Sequence, residues 1–136
     1  MKNLTRRQER ELALQYLFAL ESQQKLKKEL FPEDLEELPV SAEGVSRDAY
    51  HLDIIFGINQ NLKGIDREIS RHLIEWRFER IAMVDRNILR IAVCEIIHNE
   101  EVPKAVAIDE AVELAKKYGS EKSPEFINGV LAQVGD

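Results

Sequence analysis

Lys2, Arg6, Arg7 and Arg10 place four positive charges in the first ten residues, opposed there only by Glu9. Arginine suits phosphate because its planar guanidinium fork can bind two oxygens at once. Arg6 and Arg10 stand one helical turn apart, so a polyanionic strand crossing a helix start could touch both. The first-turn N–H groups of that helix would add partial positive charge. Phe18, two turns past Arg10, falls among Arg7, Glu11, Gln15 and Ser22 on the polar sector of the same helix. There it offers an aromatic plane on which a single-stranded base could stack. A merely solvated helix start beside a chance exposed Phe fits the same spacing, so the pattern alone leaves nucleic-acid binding open.

Other chemistry is poorly provided for. The glycine loops that cradle phosphate, G-x-G-x-x-G and G-x-x-x-x-G-K-[ST], do not occur. His51, His72 and His98 show no metal-ligand spacing with one another or with Cys94. Cys94 lies in the most apolar stretch, away from the base and the exposure that a nucleophile needs, and reads as a small packed thiol. Carboxylates are numerous, yet no spacing singles out an acid–base pair. The expectation is a protein without enzymatic activity, metal or cofactor.

The elements that must position these residues are helices. The first begins near Thr5 and turns Leu12, Ala13, Tyr16, Leu17 and Leu20 to one side. Phe31–Gly44, with Pro32, Pro39 and an acidic cluster, reads as a loop with one helical turn at Glu33–Leu38. A second helix is expected from Ser46 as N-cap towards Leu62, ended by Gly64. A third carries the stripe Ile65, Ile69, Leu73 and Trp76, which places Trp76 in the core. From Val84 to Ile97 the apolar residues cover nearly the whole circumference, the mark of a central helix. Asp85 and Glu95 project into that apolar surround; Asp85 could cap the helix, and Arg90 and Glu95 read as members of structural ion pairs.

After Pro103 a further helix groups Ile108, Ala111, Val112, Ala115 and Tyr118, closed by Gly119. Ser123-Pro124 reads as N-cap and first residue of a last helix, whose stripe is Phe126 or Ile127 with Val130, Leu131 and Val134. Gly129 reads as a close-packing site within it. The fold class is all-α, six or so helices around one core.

A chain of 136 residues is one domain, spanning 1–136, and buries enough surface to fold without disulfide or metal. It is 44% hydrophobic and 32% charged, which excludes collagen-like and wholly disordered classes. No apolar run reaches the roughly 20 residues of a membrane span, and the N-terminus lacks the apolar core of a secretory signal. One cysteine points to a reducing compartment, so the expected location is cytoplasmic. The net charge of −6 repels nucleic acid on average, so any such role depends on local clustering. The charge is indeed uneven: Glu29, Glu33, Asp34, Glu36, Glu37 and Glu43 follow the basic start with no basic residue among them.

Arg6-Arg7-x-x-Arg10-Glu11-x-Ala13-x-Gln15-x-Leu17 resembles the N-terminal signature of the NusB family of bacterial transcription antitermination factors. Val84-Asp85-Arg86-Asn87-Ile88-Leu89-Arg90-Ile91-Ala92-x-x-Glu95 is similar to a second block of that family. So are Val102-Pro103-x-x-Val106-Ala107-Ile108-Asp109-Glu110-Ala111-Val112-Glu113-Leu114-Ala115-Lys116 and Ser123-x-x-Phe126-Ile127-Asn128-Gly129-Val130-Leu131. The four blocks keep the family's order and together cover nearly the whole chain.

The resemblance implies an all-helical bundle of about six to seven helices, two three-helix groups packed together, with no enzymatic activity. It also implies binding to the boxA element of ribosomal RNA leader transcripts, paired with NusE, a small-subunit ribosomal protein, within an RNA polymerase antitermination complex. Carried over by position, the RNA-binding residues would be Lys2, Arg6, Arg7, Arg10 and Phe18, with Lys122 and Phe126 at the start of the last helix. Glu75, Glu79, Asp85 and Arg86 would face NusE. His72 stands where some members carry an aromatic contact. Gln8 and Glu9 depart from the arginine and small residue that relatives often carry, which implies a weaker positive field.

Two rivals remain from the sequence: a helical protein-interaction scaffold with solvated arginines, and the NusB-like module appended to ribosomal RNA cytosine methyltransferases. The 136 residues leave no room for a methyltransferase domain, so the expectation is the free-standing adapter. Whether the chain pairs with a second copy as a homodimer is left open.

Overall fold

The computed structural model describes residues 4–41 and 49–135, and these form seven α-helices, a 3-10 turn and no strand. The all-α expectation holds. The chain divides into two compact units, Met1–Asn61 and Leu62–Asp136.

In the first unit, α1 (Arg6–Ser22) and α3 (Tyr50–Gln60) pack on each other, and the short α2 (Pro32–Glu36) lies between them in sequence. Thr5 starts α1 through a capping box: its hydroxyl accepts from Gln8 N at 3.1 Å, and Gln8 Oε1 accepts from Thr5 N at 2.9 Å. Gln8 is therefore half of a structural cap. Leu12, Ala13, Tyr16, Leu17 and Leu20 are buried as the helical period requires, and Leu14 joins them. Each large apolar side chain so buried contributes about 1.5–3 kcal/mol.

The connection between α1 and α2 is pinned by Asn59, whose Nδ2 donates to Leu26 O at 2.8 Å and Lys28 O at 2.7 Å. Its Oδ1 accepts from Leu30 N at 3.1 Å, so one α3 amide satisfies three loop groups. The expected N-cap Ser46 and the site candidate Lys2 lie outside the described residues. Gly64 does not end α3. Asn61 does, donating from Nδ2 to Gly57 O at 2.8 Å, and Gly64 sits inside the next helix.

In the second unit, α5 (Met83–His98) is the centre, touched by α4 (Leu62–Arg71), α6 (Lys104–Tyr118) and α7 (Ser123–Leu131). That three-sided contact explains a helix apolar nearly all round: every residue from Asn87 to Glu95 is buried. Its two ends are more open: Met83, Val84 and Arg86 are half-buried, and Ile97 is exposed.

Several expectations are corrected here. The α4 stripe stops early: Ile65 and Ile69 are buried, but the helix closes at Arg71, so Leu73 is only half-buried and Trp76 is 60% exposed. The closure is a turn from Leu73 N to Ser70 O at 3.3 Å, with the His72 ring drawn back onto Glu68 at 2.8 Å. On α6 Ala111 and Ala115 are buried as expected and are joined by Ala107 and Leu114, while Ile108, Val112 and Tyr118 are only half-buried. On α7 the core takes Ile127 and leaves Phe126 half-buried. Gly129 meets nothing within 4 Å and is no close-packing site. Ser123 opens α7 without capping it, and Ala82, not Asp85, stands at the N-cap of α5.

Candidate nucleic-acid interface

The start of α1 presents Arg6 and Arg7 to solvent, with the Arg6 side chain 63% exposed. Arg6 is nonetheless held. Its Nη1 lies 3.3 Å from Glu9 Oε2, and its guanidinium carbon stands 4.0 Å from the centroid of the Tyr50 ring. Glu9, the residue expected only to weaken the positive field, is buried. Its other oxygen lies 3.4 Å from both the backbone N and Nδ1 of His51. The His51 ring stacks on Tyr16 at 5.9 Å with an 8° tilt. Burial pushes the His51 imidazole below its ordinary range, against the opposing pull of Glu9.

Arg10 is not placed as expected. It is 4% exposed, with its guanidinium carbon 5.9 Å from the Tyr50 ring, so a strand cannot lie across Arg6 and Arg10 together. The apolar burden of the α1–α3 contact turns that side inward, and Arg10 belongs to the support of the surface rather than to its face. Arg7 and Phe18 share the outward face instead: eleven residues apart, they differ by about 20° around the helix and about 16 Å along it. Phe18 is 41% exposed, as the polar sector predicts.

Lys122 and Phe126 belong to the second unit, where they line a cleft of about 310 Å³ with Trp76, Arg80, Ile81, Ala82, Asp85, Ser120 and Ser123. Lys122 is exposed at the N-cap of α7. Ser123 Oγ donates to Asp85 Oδ2 at 3.0 Å and accepts from Ser120 N at 2.9 Å, which ties the turn before α7 to α5. Asp85 Oδ1 is buried and finds no hydrogen-bond partner among the described residues. Burial accordingly raises the Asp85 carboxyl above the usual range, with the Ser123 hydroxyl opposing. Sequence reasoning missed Trp76 as a surface residue and the Ser123–Asp85 bond, which joins positions 38 apart. No local signal marks either.

Of the four residues expected to face a protein partner, Glu75 and Glu79 are exposed and Asp85 is buried. Arg86 is half-buried and donates to Ile81 O at 3.0 Å, with its guanidinium 5.6 Å from the Phe78 ring in the 3-10 turn Phe78–Arg80. Arg90 is a structural residue: its fork meets both oxygens of Asp66 at 2.8 and 2.9 Å, and Asn87 Oδ1 at 3.0 Å. Cys94 is buried, and its thiol is pushed up to about 11 by burial and by Glu95, so it is no nucleophile at neutral pH. Among the described residues no group of three or more His, Cys, Asp or Glu could hold a metal ion. No described helix is long and apolar enough to cross a membrane.

Known proteins are similar to this chain in sequence and fold. The model of the NusB family matches residues 7–136. The transcription antitermination protein NusB of Sorangium cellulosum is 42% identical over 127 residues, covering 93% of this chain and 89% of that protein. The protein of the same name from Bacillus velezensis is 37% identical over 131 residues, covering 96% of this chain and 95% of that one. A solved structure of T. maritima NusB superposes with a TM-score of 0.82 at 38% identity, over 97% of this chain and 91% of that one. A crystal structure of the antitermination factors NusB and NusE in complex with double-stranded RNA is similar at a TM-score of 0.73 and 28% identity, over 93% and 92%. With the family model matching residues 7–136 and relatives 42% and 37% identical over nearly its full length, this chain belongs to the NusB family.

Proposed function

We propose that this chain is a transcription antitermination factor that binds boxA-type single-stranded RNA of ribosomal RNA leaders together with NusE. It acts without catalysis, in the cytoplasm, as an adapter within an RNA polymerase antitermination complex. The observation that carries the reading is the start of α1: two exposed arginines beside a fixed helix cap, on a chain whose net charge is −6. Such a charge distribution has a physical use only for a partner met locally, and arginine forks fit phosphate. The likeness to NusB relatives and to a NusB–NusE–RNA structure supports both partners. Glu75 and Glu79 are exposed acids suited to a basic protein, while Asp85 and Arg86 contribute mainly to their own fold. Two moderate contacts joined in one complex give an avidity that neither has alone.

The deciding experiment is a titration of boxA-type single-stranded RNA and a duplex of the same length, with and without NusE, at several salt concentrations. The wild type binds the single strand more tightly, NusE strengthens it, and affinity falls steeply with salt. The double variant Arg6→Glu, Arg7→Glu loses RNA binding while keeping the helical spectrum and NusE docking. Unchanged RNA affinity in that variant removes the proposed surface.

A further inference from the structure

Glu9 lies in the first turn of α1, 7% exposed, beneath an arginine that faces solvent. One of its carboxylate oxygens stands 3.3 Å from Arg6 Nη1, and the other stands 3.4 Å from the backbone N and from Nδ1 of His51. Burial holds the His51 imidazole below its ordinary pKa, so at neutral pH that ring brings no positive charge to the carboxylate. The balance falls on Arg6. Were Arg6 to swing away towards a phosphate, a buried anion would lose its partner, which is costly, so Arg6 stays where it is. The Tyr50 ring, 4.0 Å from the guanidinium carbon, holds the same side chain and carries no charge. Arg6 therefore has two holders, and only Glu9 competes with phosphate for it. The same carboxylate also offsets the partial positive charge of the N–H groups at the helix start, the other attraction for an anion there.

We propose that Glu9 is an affinity-setting residue of the RNA surface: from beneath Arg6 it cancels much of the charge that a phosphate would meet, and so keeps binding at this surface weak. The inference rests on the RNA-binding reading above and assigns the strength of that contact to a buried side chain that does not itself touch RNA. Weakness has a use in an adapter. Attraction to phosphate carries no sequence information, so a fully charged surface would hold any transcript. A weakened one holds RNA firmly only where a second contact is made in the same complex. The sign sets this role apart from a merely structural one. Removing a structural support weakens binding, whereas removing this charge strengthens it.

The full chain and three variants are titrated with boxA-type RNA and with a scrambled RNA of equal length, by anisotropy across a potassium chloride series. Glu9→Gln keeps the length of the side chain and an oxygen for Arg6, and removes the charge. It is expected to bind both RNAs roughly fivefold more tightly and to steepen the salt slope by up to about 1, as Arg6 becomes fully available. Glu9→Met, similar in length and apolar in a buried place, gives the same gain and decides the matter should Glu9→Gln not fold. Glu9→Asp, shorter but still charged, gives no gain. Circular dichroism verifies the helices of each variant.

Unchanged or weaker RNA binding in folded Glu9→Gln or Glu9→Met overturns the inference. If Arg6→Glu, Arg7→Glu still loses RNA binding, the broader reading stands without it. An equal gain in Glu9→Asp overturns it as well, since the charge is kept there. A gain confined to boxA-type RNA contradicts action through phosphate and overturns it too. Absence of RNA binding in the wild type and in every variant, with NusE present, removes the broader reading and this one with it.

Discussion

The Arg6 guanidinium carbon lies 4.0 Å from the centroid of the Tyr50 ring, so the first residue of α1 rests on the first residue of α3. A cation over an aromatic face gains about 0.5–1 kcal/mol at an exposed site. More important for binding, the ring restricts a long side chain before any phosphate arrives. Tyr50→Phe keeps the ring and is expected to keep RNA affinity. Tyr50→Leu is expected to weaken RNA binding several-fold and to lower the salt slope by about 1, since one phosphate contact is lost. Anisotropy across a potassium chloride series measures both, and a Leu variant with wild-type slope removes Tyr50 from the site.

His51, next to Tyr50 in the chain, shares Glu9 with Arg6, and its titration sets a pH dependence. Burial, the largest influence, lowers its pKa from the ordinary 6.5, while Glu9 and Asp53 raise it. The unfolded chain therefore takes up a proton on acidification that the folded chain resists. The stability tied to this group is complete above about pH 6.5 and declines as pH falls towards the lower folded value. Melting temperature is expected to drop between about pH 7 and about pH 5.5. His51→Phe retains a ring against Tyr16 and removes the titration, so the drop shrinks; an identical drop in both proteins would count against His51.

Arg90 and Asp66 offer a test of the central helix. Arg90 is buried, and the Asp66 carboxylate, partly open to solvent, meets its fork at 2.8 and 2.9 Å. Asp66→Ala removes the carboxylate that balances a buried guanidinium, which keeps its bond to Asn87 Oδ1, and is expected to cost about 3 kcal/mol, the low end for such a break because Asp66 is not fully enclosed. Replacing both partners, Asp66→Ala with Arg90→Met, recovers much of that loss. Urea unfolding measures the two variants, and a double variant no more stable than the single one contradicts the stranded-charge account.

Periodicity made the fold legible where a helix has one dry side or none. The α1 core residues and the all-round burial of α5 follow from spacing alone, because burial on a helix repeats every 3.6 residues. Helix ends were less legible. Trp76 continues the α4 stripe in sequence, yet the chain leaves the helix after Arg71 with no Gly or Pro to mark it. The site divides in the same way. Arg6, Arg7 and Phe18 were readable as a charged start and an exposed aromatic on one helix. Arg10 was not, because only its place against Tyr50, 40 positions on, turns it inward. Glu9 with His51 and Asp85 with Ser123 are contacts between distant positions, and a linear pattern carries no trace of them.

Gly119 closes α6 with φ −90° and ψ −170°, a conformation open to any residue, so its requirement is one of space. A Cβ built there would stand 2.6 Å from Cβ and Oγ of Ser123 and 2.9 Å from Ala115 O. Ser123 cannot give way freely, since its hydroxyl is engaged by Ser120 N and Asp85. Gly119→Ala is expected to destabilise by about 1–3 kcal/mol, as other overpacked sites do. Gly64 and Gly129 lie within helices with nothing inside 4 Å, so alanine at either is expected to stabilise by about 0.5–1 kcal/mol. Urea midpoints of the three variants should therefore move in opposite directions. A Gly119→Ala midpoint at or above the wild-type value would mean that the α6–α7 turn relaxes, and the tie between Ser123 and Asp85 would be looser than its 3.0 Å bond indicates.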